Sequence, residues 1–105
     1  DDEYGRRAEA ALADITDARV RIFCPHAPPY GTACDRIRSG EHVGSHALRA
    51  VVEREQPDVV LCGHIHESRA IDALGASTVV NPGAMRDGHY ALVEIGETVS
   101  VTLDP

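Results

Sequence analysis

The chain reads as an α/β domain with one βαβ unit, followed by a short strand and a C-terminal β-hairpin. Three observations carry that reading. Two apolar runs, 19–24 and 59–62, bracket an amphipathic segment that starts at Ser45 and is stopped by Pro57. Each run ends two residues before a histidine, His26 and His64. A period-two stretch across Gly96-Glu97 closes the sequence. At 105 residues, positions 1–105 form one domain at most.

Residues 3–14 predict a short helix. Ala8, Ala11, Leu12 and Ile15 recur at helical spacing, with arginines and acids on the other face. Asp14 to Asp17 is a polar break. Residues 19–24 alternate polar and apolar, then turn wholly apolar, as a strand does. Pro25, Pro28, Pro29, Gly31 and Gly40 exclude a long helix or central strand from 25–41. Structureless connections of that length are usually functional or disordered, and this one holds His26. Ser45 is placed to N-cap a helix to Glu55, with Leu48, Val51 and Val52 on one face. Residues 59–62 form the next strand, which completes a right-handed crossover between parallel strands. Residues 67–76 read as a loop closed by Gly75, and 77–80 as a strand ended by Asn81-Pro82-Gly83. Residues 89–95 and 98–103 form the hairpin, where a leading glycine suits a type II′ turn at Gly96-Glu97.

Composition narrows the function. Hydrophobic residues make up 43% of the chain and aromatics only 4%, so the core is built from Val, Ile, Leu and Ala. No run approaches the ~20 apolar residues of a membrane span, and Asp1-Asp2-Glu3 is the reverse of a signal-peptide start. A cytoplasmic protein without membrane partners is expected. The net charge of −7 argues against a nucleic-acid binder. All ten basic residues are arginine, a bias shared by salt-adapted proteins and by GC-rich coding. Cys24, Cys34 and Cys62 are odd in number and lack CxxC spacing, so neither a disulfide framework nor a zinc ribbon is expected. Cys24 and Cys62 end apolar runs and read as reduced core thiols.

Chemistry concentrates in Cys62-Gly63-His64-Ile65-His66. Neutral imidazole is the commonest metal ligand, and zinc, iron and manganese accept it. Parallel strands end on the same sheet edge, where ligand sites of open α/β sheets lie. Neighbouring strands are roughly 5 Å apart, so His26 and His64 can reach one ion. A single histidine beyond a strand is more often a hydrogen-bonded loop residue; two on adjoining strand ends favour a shared metal. His42 and Asn81 are candidates for substrate contact, although Asn-Pro-Gly turns are more often structural. His46 falls on a helix surface, and His89 stays open.

The pattern His26-Ala27-Pro28-Pro29-Tyr30-Gly31, then Gly63-His64-Ile65-His66-Glu67, then Val80-Asn81-Pro82-Gly83 resembles the C-terminal half of calcineurin-like metallophosphoesterases. It is most similar to the small prokaryotic branch related to cyclic-nucleotide phosphodiesterases, and the likeness covers 19–95. The resemblance implies part of an αββα sandwich, with His26 and His64 on one metal and His66 on the other. It implies two divalent ions, manganese, iron or zinc, about 3.5–4 Å apart. These clamp a phosphomono- or phosphodiester while a metal-bound hydroxide attacks phosphorus in line.

The same resemblance calls for Asp-x-His, Gly-Asp-x-x-Asp and Gly-Asn-His-Asp/Glu motifs from the family's first half, and none occurs upstream of His26. Asp35 and Glu67 are expected as solvated loop acids, not replacements, so the catalytic residues are left unassigned. Three imidazoles can hold one zinc with an open position but not a dinuclear pair. At most one ion is therefore expected on this stretch alone. The leading expectation is a fragment of a phosphoesterase acting on a small phosphate ester. The alternatives are a non-catalytic mononuclear zinc module, and an inactive remnant that self-associates or binds partners through an unpaired sheet edge. No GxGxxG follows any predicted strand, which leaves little room for a dinucleotide site.

Overall fold

The computed structural model describes residues 1–104. The elements, in order, are α1 (Asp2–Ala13), β1 (Ile22–Phe23), α2 (His46–Glu55), β2 (Val59–Leu61), β3 (Ala70–Leu74), β4 (Ser77–Asn81), a 3-10 turn (Met85–Asp87), β5 (Ala91–Ile95) and β6 (Val99–Leu103). A four-stranded sheet has the order β1-β2-β4-β3, and β5-β6 form a separate two-stranded sheet. β1, β2 and β4 are mutually parallel, with Ile22 opposite Val59 and Val60 opposite Val79. The βαβ unit read from the sequence is thus present.

Helix α2 is the middle layer. Val52 packs with Val60, Cys62, Leu74 and Val79 of the sheet side. Leu48 and Val51 meet Ala8 and Leu12 of α1, with Phe23 of β1 packed against both clusters. Ser45 caps α2: its Oγ accepts from the Leu48 N–H at 3.0 Å, satisfying an otherwise orphaned donor. The helix ends at Gln56 in the left-handed region, and Pro57 prevents continuation.

Four features differ from the sequence expectation. The first strand shrinks to Ile22–Phe23, because the Asp58 carboxylate takes the Arg21 N–H at 2.9 Å and Pro25 ends the run. Residues 67–76 are not all loop: β3 pairs antiparallel with β4, Leu74 opposite Ser77. Their two-residue connection begins with Gly75 at φ +64, a conformation that suits glycine. The Gln56 side chain clasps it, donating to the Leu74 carbonyl and accepting from the Ala76 N–H. Conversely, the second hairpin pairs Ile95 with Val99, which leaves three linking residues. Gly96 is not in the left-handed region there, so the type II′ turn expected at Gly96-Glu97 is absent. Finally, Cys24 is exposed, whereas Cys34 and Cys62 are the core thiols.

The connection 25–41 also has internal order. Pro29 bridges Ser45 in parallel, and Arg36 bridges His42 in antiparallel fashion. Among the described residues, β1 has only β2 as a neighbour and β3 only β4, so both edges of the sheet are unpaired. No helix there is long and apolar enough to cross a membrane.

Candidate metal centre

His26 and His64 follow the carboxyl ends of the adjacent parallel strands β1 and β2. Backbone contacts fix both. The Gly63 N–H donates to the His26 carbonyl at 3.1 Å, and the Tyr4 hydroxyl accepts from the His26 N–H at 3.1 Å. The His26 Nε2 and His64 Nδ1 atoms lie 3.0 Å apart, with ring centroids separated by 4.6 Å. Both side chains are exposed at the sheet edge.

His64 occupies the left-handed region, at φ +67. The Ile65 N–H bonds the Gly63 carbonyl at 2.7 Å across it. A three-residue turn with a φ-positive centre is the strained form of γ-turn, and such strain clusters at functional positions. The distortion directs Ile65 into the core and leaves His64 and His66 outside.

The pair fits a metal. Two nitrogens each about 2.0–2.1 Å from one zinc lie about 2.8–3.4 Å apart for ligand angles between square and tetrahedral. The observed 3.0 Å falls in that range. His66 is not part of the pair: its Nδ1 receives a hydrogen bond from the Arg86 guanidinium at 3.2 Å. Among the described residues, no three His, Cys, Asp or Glu side chains converge as a ready ligand group.

Asp35, expected as a solvated acid, is completely buried and organises the loop beyond His26. Its carboxylate accepts from the N–H groups of Gly31 and Gly44 at 2.9 Å, from Thr32 at 3.1 Å, and from His42 Nδ1 at 2.5 Å. Burial pushes its pKa up. The His42 hydrogen bond, the Gly31 and Gly44 N–H groups and the His42 charge outweigh that, and the carboxyl sits below its ordinary value. Gly44 permits this packing, since a Cβ there would lie 2.6 Å from the Pro28 carbonyl and 2.8 Å from the Asp35 carboxylate. His42 is 28% exposed and meets Tyr30 edge-on, while Tyr30 stacks on His46 at 3.8 Å. The structure therefore places His42 beside Asp35 and Tyr30.

Asn81 is 1% exposed. Its Nδ2 donates to the carbonyls of Ile65 at 2.8 Å and Cys34 at 3.3 Å, and its Oδ1 accepts from the Gly83 N–H at 3.1 Å. Asn81 thus secures the histidine loop from within. Glu67 is exposed and accepts from the Arg38 N–H. In the core beneath, a hydrogen bond to Cys34, together with burial, pushes the Cys62 thiol pKa up and keeps it protonated.

Arg69, just beyond the histidine loop, binds the Asp104 carbonyl and carboxylate at 2.6 Å, tying the end of β6 to the loop. The Tyr90 N–H and then Arg69 pull the Asp104 carboxyl down to about 2. The sequence reading missed Asp35, Arg69 and Arg86 as organisers of this region. Gly31 and Gly44, which leave backbone N–H groups open towards one carboxylate, were the available signal for Asp35.

Residues 5–103 match the family described as metallophosphoesterase, calcineurin superfamily, and the chain belongs to it. An uncharacterized protein of Methanocaldococcus jannaschii is 48% identical over 76 residues, covering 68% of this chain and 35% of that protein. One crystal structure superposes with a TM-score of 0.76 at 24% identity, covering 90% of this chain and 36% of the other. The crystal structure of TT1561 of Thermus thermophilus gives a TM-score of 0.57 at 22% identity, covering 90% and 38%. Both likenesses show the fold, which in this chain is part of a metallophosphoesterase sandwich. The chain spans about a third of the length of these relatives.

Proposed function

We propose that this chain supplies the histidine side of a metal-dependent phosphoesterase centre that hydrolyses phosphate esters. The observation that carries the reading is the 3.0 Å approach of His26 Nε2 to His64 Nδ1 at the carboxyl edge of two parallel strands. His26 and His64 would hold one divalent ion, and His66, set apart from them, would serve a second. Bound divalent ions supply positive charge that clamps the phosphate and makes water a better nucleophile.

This chain's own residues prepare that centre. Gly63 and Tyr4 hold His26, the strained turn aims His64, and Asn81 holds the Ile65 carbonyl between the two loop histidines. The carboxylate ligands that the family pattern places ahead of the first metal-binding histidine have no counterpart upstream of His26. The proposal assigns them to polypeptide outside this stretch, covalently continuous or in a partner.

The test is hydrolysis of p-nitrophenyl phosphate mono- and diesters with manganese, by protein extended to the length of the relatives. Turnover is expected, and His64→Ala should reduce it at least about 100-fold, since even residues that merely orient metal ligands cost 10- to 100-fold. Failure with every divalent metal tried contradicts the reading. One tightly bound zinc without turnover would point to a non-catalytic zinc module instead.

A further inference from the structure

Arg86 lies on the 3-10 turn that follows Asn81-Pro82-Gly83, and its Nη2 stands 3.2 Å from His66 Nδ1. A guanidinium has donors only, so Nδ1 presents its lone pair and neutral His66 carries its proton on Nε2. The fold builds this contact. Asn81 joins the Ile65 carbonyl to the Gly83 N–H through one buried amide. The Asp87 and Gly88 N–H groups close the turn onto Ala84 and Met85. Arg86 is thereby held in register against the histidine loop.

Its charge is not spent elsewhere. Among the described residues, Arg19, Arg36, Arg38 and Arg86 have no carboxylate at ion-pair distance. Of these four, only Arg86 reaches an imidazole of the metal pattern.

We propose that Arg86 is a phosphate-binding residue which His66 holds in reserve until metal is loaded. A neutral imidazole has one nitrogen with a free lone pair. Ligation through Nδ1 consumes the lone pair that Arg86 uses. Ligation through Nε2 moves the proton to Nδ1, which then has nothing to accept with. Loading His66 through either nitrogen therefore releases Arg86. A freed guanidinium beside a cationic centre takes a phosphate-ester oxyanion, for which its planar fork of donors is suited. Metal loading and substrate recognition are linked by one hydrogen bond.

This inference rests on the phosphoesterase reading, and the experiment separates the two. Zinc is titrated calorimetrically into protein extended to the length of the relatives, as wild type, Arg86→Gln, Arg86→Lys and His64→Ala, and inorganic phosphate then into each zinc-loaded protein. Nitrogen NMR follows the His66 ring. We expect Arg86→Gln to bind zinc at least as tightly as wild type but phosphate at least about tenfold more weakly, with Arg86→Lys between them. Zinc-free wild type should show the Nε2–H tautomer of His66, and Arg86→Gln should lose that preference. Equal phosphate affinity in wild type and Arg86→Gln, with zinc binding intact, overturns the assignment and leaves the metal centre standing. No zinc binding by wild type, or binding indifferent to His64→Ala, overturns the metal reading and this inference with it.

Discussion

Replacing Asp35 by alanine is expected to destabilise the protein by about 3–5 kcal/mol, the cost of removing one partner from a buried charged pair. The carboxylate has 0% exposure and accepts from Gly31, Thr32, Gly44 and His42. Its loss leaves three backbone donors without an acceptor, each costing about 1–3 kcal/mol if it stays buried. Relaxation of the loop recovers part of that sum. Urea unfolding at neutral pH measures the effect, and a loss below about 1 kcal/mol would show that the loop does not depend on Asp35. The same carboxylate predicts a pH dependence. Folding lowers its pKa, so its contribution is complete above its ordinary value of about 3.9. The contribution fades as pH falls through the lower native value. Wild type should therefore lose stability below about pH 4 more steeply than Asp35→Asn. Parallel slopes in the two proteins would contradict this.

His64→Gly should separate stability from function. Residue 64 sits at φ +67, where an L side chain is strained and glycine is not. Relief of that strain offsets the lost ring contact with His26, so the change should cost less than about 1 kcal/mol in thermal or urea unfolding. Metal affinity should nevertheless fall at least about 100-fold, because a direct ligand is removed. A large loss of stability would mean that the loop depends on the imidazole as a structural group. Retained metal affinity would remove His64 from the site.

Where local chemistry decides the structure, the sequence was informative. Ser45, three residues before Leu48, and Pro57 bound α2 by capping and by lack of a donor, and the structure shows both ends. The parallel direction of the strands before His26 and His64 follows from that crossover helix, and the pair meets as the topology requires. Less was legible where partners lie far apart in sequence. Ala70-Ile71-Asp72-Ala73-Leu74 has weak strand character, and its conformation is set by pairing with β4 across Gly75. Arg86 and His66 are 20 residues apart and meet only because Asn81 ties their two segments together. Asp35 looks like an ordinary loop acid until Gly31 and Gly44 bring their N–H groups to it. Cys24 ends an apolar run yet is exposed, because the strand stops at Phe23.

The central claim is that one metal ion is shared by His26 Nε2 and His64 Nδ1. Nitrogen NMR of the imidazoles in protein loaded with a spin-active isotope of cadmium, a surrogate for zinc, tests it most directly. The account predicts scalar coupling from a single cadmium to both nitrogens, abolished by either His26→Ala or His64→Ala. Coupling to only one of the two, or to neither while cadmium is bound, would contradict it.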